Sequence, residues 1–103
     1  MGKAPHYSVR VREGNHFAYQ NRGVIKNNLK LFSEALTDFN QALELIPDNG
    51  GIHLGRGISK FYLGDKTGAC EDWRMASDRG ATNAAELIAE YCAKNATGDK
   101  LKP

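Results

Sequence analysis

The side chains of this sequence best suited to chemistry are two cysteines and three histidines. Cys70 and Cys92 lie too far apart for the short paired spacing of zinc ligands, and no two histidines stand four residues apart. Neither cysteine has the local signature of a catalytic nucleophile. Gly50 and Gly51 follow a predicted helix, whereas a phosphate-binding glycine loop follows a strand. We therefore expect no catalytic site, no metal and no cofactor, and we do not expect an enzyme.

The composition is that of an ordinary globular domain. Of the 103 residues, 41% are hydrophobic and 25% are charged, which is typical of a chain that folds. The net charge is only +2 and no basic block stands out, so nucleic acid is not expected as a partner. Insertion into a membrane is not expected either, because the chain has no stretch of about 18 apolar residues.

A residue pattern that repeats along the chain indicates how the helices that carry the cysteines and histidines are arranged. Ala35, Phe39 and Ala42 recur 34 residues later as a second set of one aromatic and two small residues, Ala69, Trp73 and Ala76. Three more residues recur with the same offset, since Arg22, Gly23 and Asp38 correspond to Arg56, Gly57 and Asp72. A fixed period of this length indicates a repeat architecture, in which stacked units bury a continuous core.

Hydrophobic periodicity predicts about five helices, over residues 15–29, 32–46, 51–63, 66–79 and 83–95. Asn15 is the expected cap of the first helix and Thr82 or Asn83 that of the fifth. Gly80 is expected to end the fourth helix in the left-handed conformation.

The two ends of the chain are expected to lie outside these helices. Tyr7, Val9 and Val11 alternate with polar residues, which is a strand periodicity without a partner strand, so residues 1–14 are predicted to be an extended tail. Residues 96–103 are predicted to be a flexible tail.

The repeated residues resemble those of the tetratricopeptide repeat family. The small residues Gly23 and Gly57, the paired alanines, the aromatic between them and the helix-ending Pro47 match that family's pattern. The resemblance implies an all-α fold, an α-α superhelix of helix-turn-helix repeats. It implies a single domain over residues 15–95, with repeats at about 16–49 and 50–83 and a capping helix at about 83–95.

The same resemblance implies a function and its surface. Such arrays are protein–protein interaction scaffolds that hold a peptide or protein segment in a concave groove lined by the first helix of each pair. The residues expected to bind the partner are Phe17, Gln20, Val24, Asn27, Asn28, Leu54, Ile58, Phe61 and Tyr62. Gln20 and Val24 stand where a repeat that grips a C-terminal carboxylate has lysine and asparagine, which argues against that subtype. The alternative is a structural module that self-associates into a homo-oligomer, or a fragment of a longer repeat array.

The predicted helices also bring two arginines close to two aspartates. Arg22 and Arg56 replace the large apolar residue that the family often has, and we expect them to form ion pairs with Asp38 and Asp72 across each helix pair.

Cys70 and Cys92 are expected to be neighbours, because each lies eleven residues from Ala81, at the centre of the turn between the fourth and fifth helices. Two states of these cysteines are open. A reduced pair would act as small buried hydrophobes and indicate a cytoplasmic chain. A disulfide would indicate an extracytoplasmic one.

Overall fold

The computed structural model describes the backbone of residues 3–93 and the side chains of residues 16–92. Within these limits the chain forms five α-helices: α1 (Lys3–Asn28), α2 (Phe32–Leu45), α3 (Gly50–Tyr62), α4 (Lys66–Asp78) and α5 (Thr82–Leu87). A π-helical turn, Ile88–Ala93, continues α5, and residues 82–93 are called the cap below. The predicted all-α helical-repeat fold is confirmed.

The helices form two pairs, α1 with α2 and α3 with α4, and α2 packs against α3. The turns inside the two pairs are alike, because Lys30 and Gly64, at equivalent repeat positions, both have positive φ angles, of 67° and 98°. Gly80 follows α4 with a φ of 92°, which confirms the predicted left-handed end of that helix. The cap then packs against α4.

Each helix pair is centred on one aromatic ring. Phe39 is fully buried, and a Cβ added to Gly23 of α1 or Gly55 of α3 would lie within 2.9 Å of its ring. Trp73 takes the same place in the second pair, where a Cβ on Gly57 would lie 2.5 Å from the indole Nε1. These glycines therefore make room for the ring of a neighbouring helix, which is why Gly23 and Gly57 recur in the sequence together with the aromatics.

Side-chain caps start two of the helices. The Asn49 carboxamide oxygen accepts a hydrogen bond from the amide of Ile52 at 3.0 Å, which caps α3. The Asp65 carboxylate accepts one from the amide of Gly68 at 2.9 Å, which caps α4. Such bonds satisfy amides that have no partner inside the helix. The expectation for α5 is wrong, since Ala81 occupies its cap position and no side chain caps it.

The prediction of an extended segment at residues 1–14 is wrong for residues 3–14, which belong to α1, and Asn15 is therefore not a helix cap. The alternation of Tyr7, Val9 and Val11 is too short to outweigh continuation of a helix that has already formed, because adding a residue to a helix is far easier than starting one. Pro5 lies in the first turn, where its missing amide hydrogen costs no helical bond. The predicted tail at residues 96–103 lies outside the described residues.

Candidate functional site

A groove of about 700 Å³ lies between α1 and α3, beside the start of α2. Its floor is mainly apolar, and its rim carries two asparagines and a lysine. The lining residues are Val24, Asn27, Asn28, Lys30, Phe32, Gly51, Leu54, Gly55, Ile58 and Tyr62. A surface depression of this size with a few polar groups at its edge is the common form of a binding site.

Six of the nine residues predicted to bind a partner line this groove: Val24, Asn27, Asn28, Leu54, Ile58 and Tyr62. The structure places the other three elsewhere. Phe17 is exposed and its ring lies 4.1 Å, centroid to centroid, from that of His16. Gln20 is half-buried beside Gly51, next to the lining.

Phe61 turns into the protein core. Its ring lies 5.7 Å from that of Trp73 and 4.7 Å from that of Tyr91 in the cap. It also lines a separate cavity of about 130 Å³ between α3, α4 and the cap. Phe61 was predicted to line the groove because of its spacing along α3, but the cap covers it.

Asn27 lines the groove but is already hydrogen-bonded within the chain. Its amide nitrogen donates to the carbonyl of Gly55 at 3.1 Å, and its oxygen accepts from the Ser59 hydroxyl at 2.8 Å. These bonds tie α1 to α3. Asn27 therefore shapes the groove, and Asn28, which is exposed on the rim, is the asparagine better placed to meet a ligand.

Four lining residues were not predicted from the sequence: Lys30, Phe32, Gly51 and Gly55. Phe32 begins α2, and its ring stacks on that of Tyr62 with a centroid distance of 4.7 Å and an interplanar angle of 12°. The family pattern assigns the concave face to the first helix of each pair, so it does not point to the first residue of α2. The two glycines carry no side chain that periodicity could detect.

On a different side of the helix pairs, two buried carboxylates hold the helices together. Asp38 accepts hydrogen bonds from Arg22 Nε and Nη2 at 3.0 and 2.9 Å, and Lys26 Nζ lies 3.3 Å away. The predicted pair between Arg22 and Asp38 is thus confirmed. Lys26 adds a second cation that the sequence analysis did not assign.

Asp72 has the equivalent environment in the second pair. Arg56 donates two hydrogen bonds to it at 2.9 Å, which confirms the second predicted ion pair. Lys60 Nζ lies 3.2 Å and His53 Nδ1 3.3 Å from its oxygens. These groups surround a side chain that is only 2% exposed.

Burial alone would raise the pKa of both carboxyl groups, because it disfavours the charged form. The hydrogen bonds and charges of Arg22 and Lys26 outweigh this effect, so the pKa of Asp38 lies below its ordinary value. Arg56, Lys60 and His53 lower the pKa of Asp72 in the same way. Both groups are therefore anionic anchors of the fold, and neither faces the groove.

The cysteines that the sequence analysis places side by side form a disulfide, with a Cα–Cα distance of 6.0 Å. Cys70 lies in α4 and Cys92 in the π-helical turn of the cap. Because a π-turn holds more residues per turn than the 3.6 of an α-helix, Cys92 stays on the side of the cap that carries Ala84 and Ile88. That side faces α4 and Trp73.

Neither a metal site nor a membrane span is found in the part of the chain that the structure describes. No group of three or more histidine, cysteine or acidic residues there is placed to hold a metal ion. None of the helices described is long and apolar enough to cross a bilayer.

Comparison with known proteins identifies the repeat. The tetratricopeptide repeat family matches residues 16–49, which coincide with the first of the two predicted units. Residues 16–49 therefore form a tetratricopeptide repeat. Heat shock protein STI1 of Saccharomyces cerevisiae is 32% identical to the chain over 71 residues, which are 69% of this chain.

The chain spans only 12% of the length of that relative, so the likeness concerns the repeat region. No solved structure matches the chain. A tetratricopeptide repeat within this helical fold indicates a protein-interaction module.

Proposed function

We propose that this tetratricopeptide repeat protein binds a peptide segment of a partner protein in the groove between α1 and α3. The observation that carries the proposal is an apolar surface left open on the concave side. Tyr62 is 61% exposed and Val24 is 44% exposed, although both lie at the groove. Neighbouring apolar side chains that a folded chain leaves in contact with water commonly mark an interaction surface.

The lining defines the kind of segment that fits. The stacked rings of Phe32 and Tyr62, with Ile58 beside them, offer an apolar seat for an aromatic or aliphatic side chain. Asn28 can exchange hydrogen bonds with the main chain of the segment.

Lys30 is the charged residue of the lining, and it favours a carboxylate near the apolar side chain. The preferred partner is therefore a segment with an apolar anchor and an acidic neighbour.

The test compares two double substitutions on α1 and α3. Peptides are selected on the wild-type chain from a displayed library of random sequences, and dissociation constants are measured by isothermal titration calorimetry. Replacing Val24 and Tyr62 by serine should weaken binding about tenfold or more, because it removes about 1.4 kcal/mol or more of apolar contact. Circular dichroism should show an unchanged helical signal, since Tyr62 is 61% and Val24 44% exposed and neither belongs to the buried core.

The matched control replaces Ile25 and Leu29 by serine. These residues are 56% and 63% exposed, but they do not line the groove. Their loss should leave the dissociation constant within about twofold of the wild-type value. Equal losses in both variants, or a wild-type chain that selects no peptide, would contradict the proposal.

A second candidate function, self-association or extension of the repeat array, is favoured by a different surface. Ala18, Asn21 and Ile25 of α1 occupy the repeat positions of Ile52, Gly55 and Ser59 of α3. The α3 residues are buried against the first helix pair, whereas the α1 residues are exposed. Another helix pair would bury them in the same way, and sedimentation velocity of the Ile25 and Leu29 variant tests this.

A further inference from the structure

The disulfide between Cys70 and Cys92 lies in a polar surface pocket of about 220 Å³. Cys92 is only 5% exposed, whereas Cys70 is half-buried. The remaining lining residues are polar or charged and exposed: Lys66, Thr67, Glu71 and Arg74. A small thiol can therefore approach the bond from solvent, on the Cys70 side, without unfolding of the chain.

The charges of the pocket suit thiol chemistry. Lys66 and Arg74 stand four residues before and after Cys70 on α4, so all three share one face of the helix. Glu71 is the acidic residue of the same lining, which leaves the cations in excess. Nearby cations stabilise a thiolate, so Lys66 and Arg74 favour the release of Cys70 as a thiolate from a mixed disulfide.

The disulfide attaches the C-terminal end of the cap, which is a short helix of low intrinsic stability, to α4. α5 has six residues and the π-helical turn another six, a length at which an isolated helix does not persist in water. The start of α5 has no side-chain cap. Apart from the disulfide, the cap is held mainly by apolar packing of Leu87, Ile88 and Tyr91 on the core around Trp73.

The surface beneath the cap continues the groove. The cavity of about 130 Å³ under the cap is lined by Phe61, Trp73, Leu87 and Tyr91, together with Ile58 and Tyr62. Ile58 and Tyr62 also line the groove between α1 and α3. Movement of the cap away from α4 would therefore expose Phe61 and Trp73 to solvent and lengthen the apolar surface along α3.

We propose that the bond between Cys70 and Cys92 is a thiol–disulfide exchange site that holds the cap closed when oxidised and releases it when reduced. A thiolate of a dithiol reductant attacks Cys70 Sγ, the bond between the two cysteines breaks, and Cys92 leaves as a thiolate that takes up a proton. The second thiol of the reductant then attacks its own sulfur in the mixed disulfide and frees Cys70. The protein gains two electrons and two protons, and the reductant becomes a disulfide. This proposal does not depend on peptide binding in the groove.

The first test is the rate of reduction. The oxidised full chain is treated with dithiothreitol with and without unfolding concentrations of urea, and free thiols are counted by alkylation and mass spectrometry. The native chain should react within about tenfold of the rate of the unfolded chain, because its bond is reached without unfolding. A native rate further below that of the unfolded chain would overturn the proposal, since reduction would then require unfolding. Failure of the native chain to form the bond with oxidised glutathione would overturn it too.

The second test uses Trp73, the single tryptophan of the chain. The acrylamide quenching constant of its fluorescence should rise about threefold on reduction, while circular dichroism keeps the helical signal of α1 to α4. A chain with both cysteines replaced by serine should show the high constant with and without reductant. Unchanged quenching on reduction, or loss of the entire helical signal, would overturn the proposal, because the cap would then not move by itself.

Discussion

At the scale of single residues, Lys30 adopts a backbone conformation that lowers the stability of the folded protein. Its φ of 67° lies in the left-handed region, which a residue with a Cβ adopts at a cost of about 1–2 kcal/mol. The equivalent residue of the second repeat is Gly64, which adopts this conformation freely. Lys30 also lines the groove. The conformation ends α1, since the Leu31 amide donates to the Lys26 carbonyl and the Lys30 amide to the Asn27 carbonyl. If the groove binds an acidic segment as proposed, the Lys30 ammonium group would meet its carboxylate.

Lys30→Gly should therefore stabilise the protein and weaken its binding. The free energy of unfolding should rise by about 0.5 kcal/mol, since relief of the left-handed conformation exceeds the added freedom of the unfolded chain. Affinity for acidic peptides should fall severalfold. Urea denaturation and calorimetry measure the two effects.

The control for Lys30 is Gly64→Ala in the equivalent turn. It should lower the free energy of unfolding by about 1 kcal/mol, because it introduces the same strain. Nothing lies within 4 Å of an added Cβ there, so packing does not obscure the effect. A Lys30→Gly chain that is less stable than the wild type would refute the strain argument.

At the scale of the elements, one buried carboxylate joins the two helices of each pair. Asp38 of α2 binds Arg22 and Lys26 of α1, and Asp72 of α4 binds Arg56 and Lys60 of α3. The pKa of each carboxyl group is lowered in the folded protein, so the unfolded state takes up protons first as the pH falls. The stabilisation is complete above the unfolded pKa, about 3.9, and is lost as the pH falls through the folded pKa.

Asp72→Asn should lower the free energy of unfolding at pH 7 by about 2 kcal/mol, because hydrogen bonds to a charged and buried group are lost. It should also flatten the decline of stability between about pH 5 and pH 2, since asparagine does not titrate. Urea denaturation at a series of pH values measures both effects.

Asp48→Asn is the matched control for Asp72. Asp48 is 84% exposed and lies 3.3 Å from Arg79, so its replacement should change stability by less than about 0.5 kcal/mol. An Asp72→Asn chain whose stability declines with acid as steeply as that of the wild type would show that Asp72 is not the titrating anchor.

At the scale of the whole molecule, the two ends of the repeat array differ. The last pair, α3 and α4, is covered by the cap, whose Ala84 is fully buried. Ile25 on the outer side of α1 and Leu29 just after the helix are exposed, with no further helix of the described chain covering them. Stacked repeats gain stability from each neighbour, so this uncovered side is the natural place for a second copy or a further repeat unit.

If two copies meet through this side, the wild-type chain should form a dimer whose population rises with concentration in sedimentation velocity experiments. Replacing Ile25 and Leu29 by serine should shift the chain to a monomer, because Ile25 is the largest apolar group at the positions that stacking buries and Leu29 is an exposed apolar neighbour. The variant with serine at Val24 and Tyr62 should dimerise as the wild type does. A wild-type chain that stays monomeric at every concentration would contradict self-association through α1.

The sequence by itself was sufficient to predict the helical repeat. Helix periodicity and a 34-residue repeat can be read from the order of residues along the chain, so Phe39 and Trp73 could be placed in register without coordinates. The ion pairs of Asp38 and Asp72 could be predicted for the same reason, because both partners recur with the repeat.

Only the tertiary structure decided which residues meet across the helices. Whether Phe61 faces the groove or the core depends on where the cap lies. The sequence predicts that Cys70 and Cys92 are neighbours, but only the structure shows that they are bonded and that Cys92 lies in a π-helical turn. Asn27 was expected to meet a ligand, but it binds α3 because the two first helices approach closely at Gly55. Local spacing fixes which face of a helix a residue occupies, whereas the packing of the neighbouring helices decides what that face contacts.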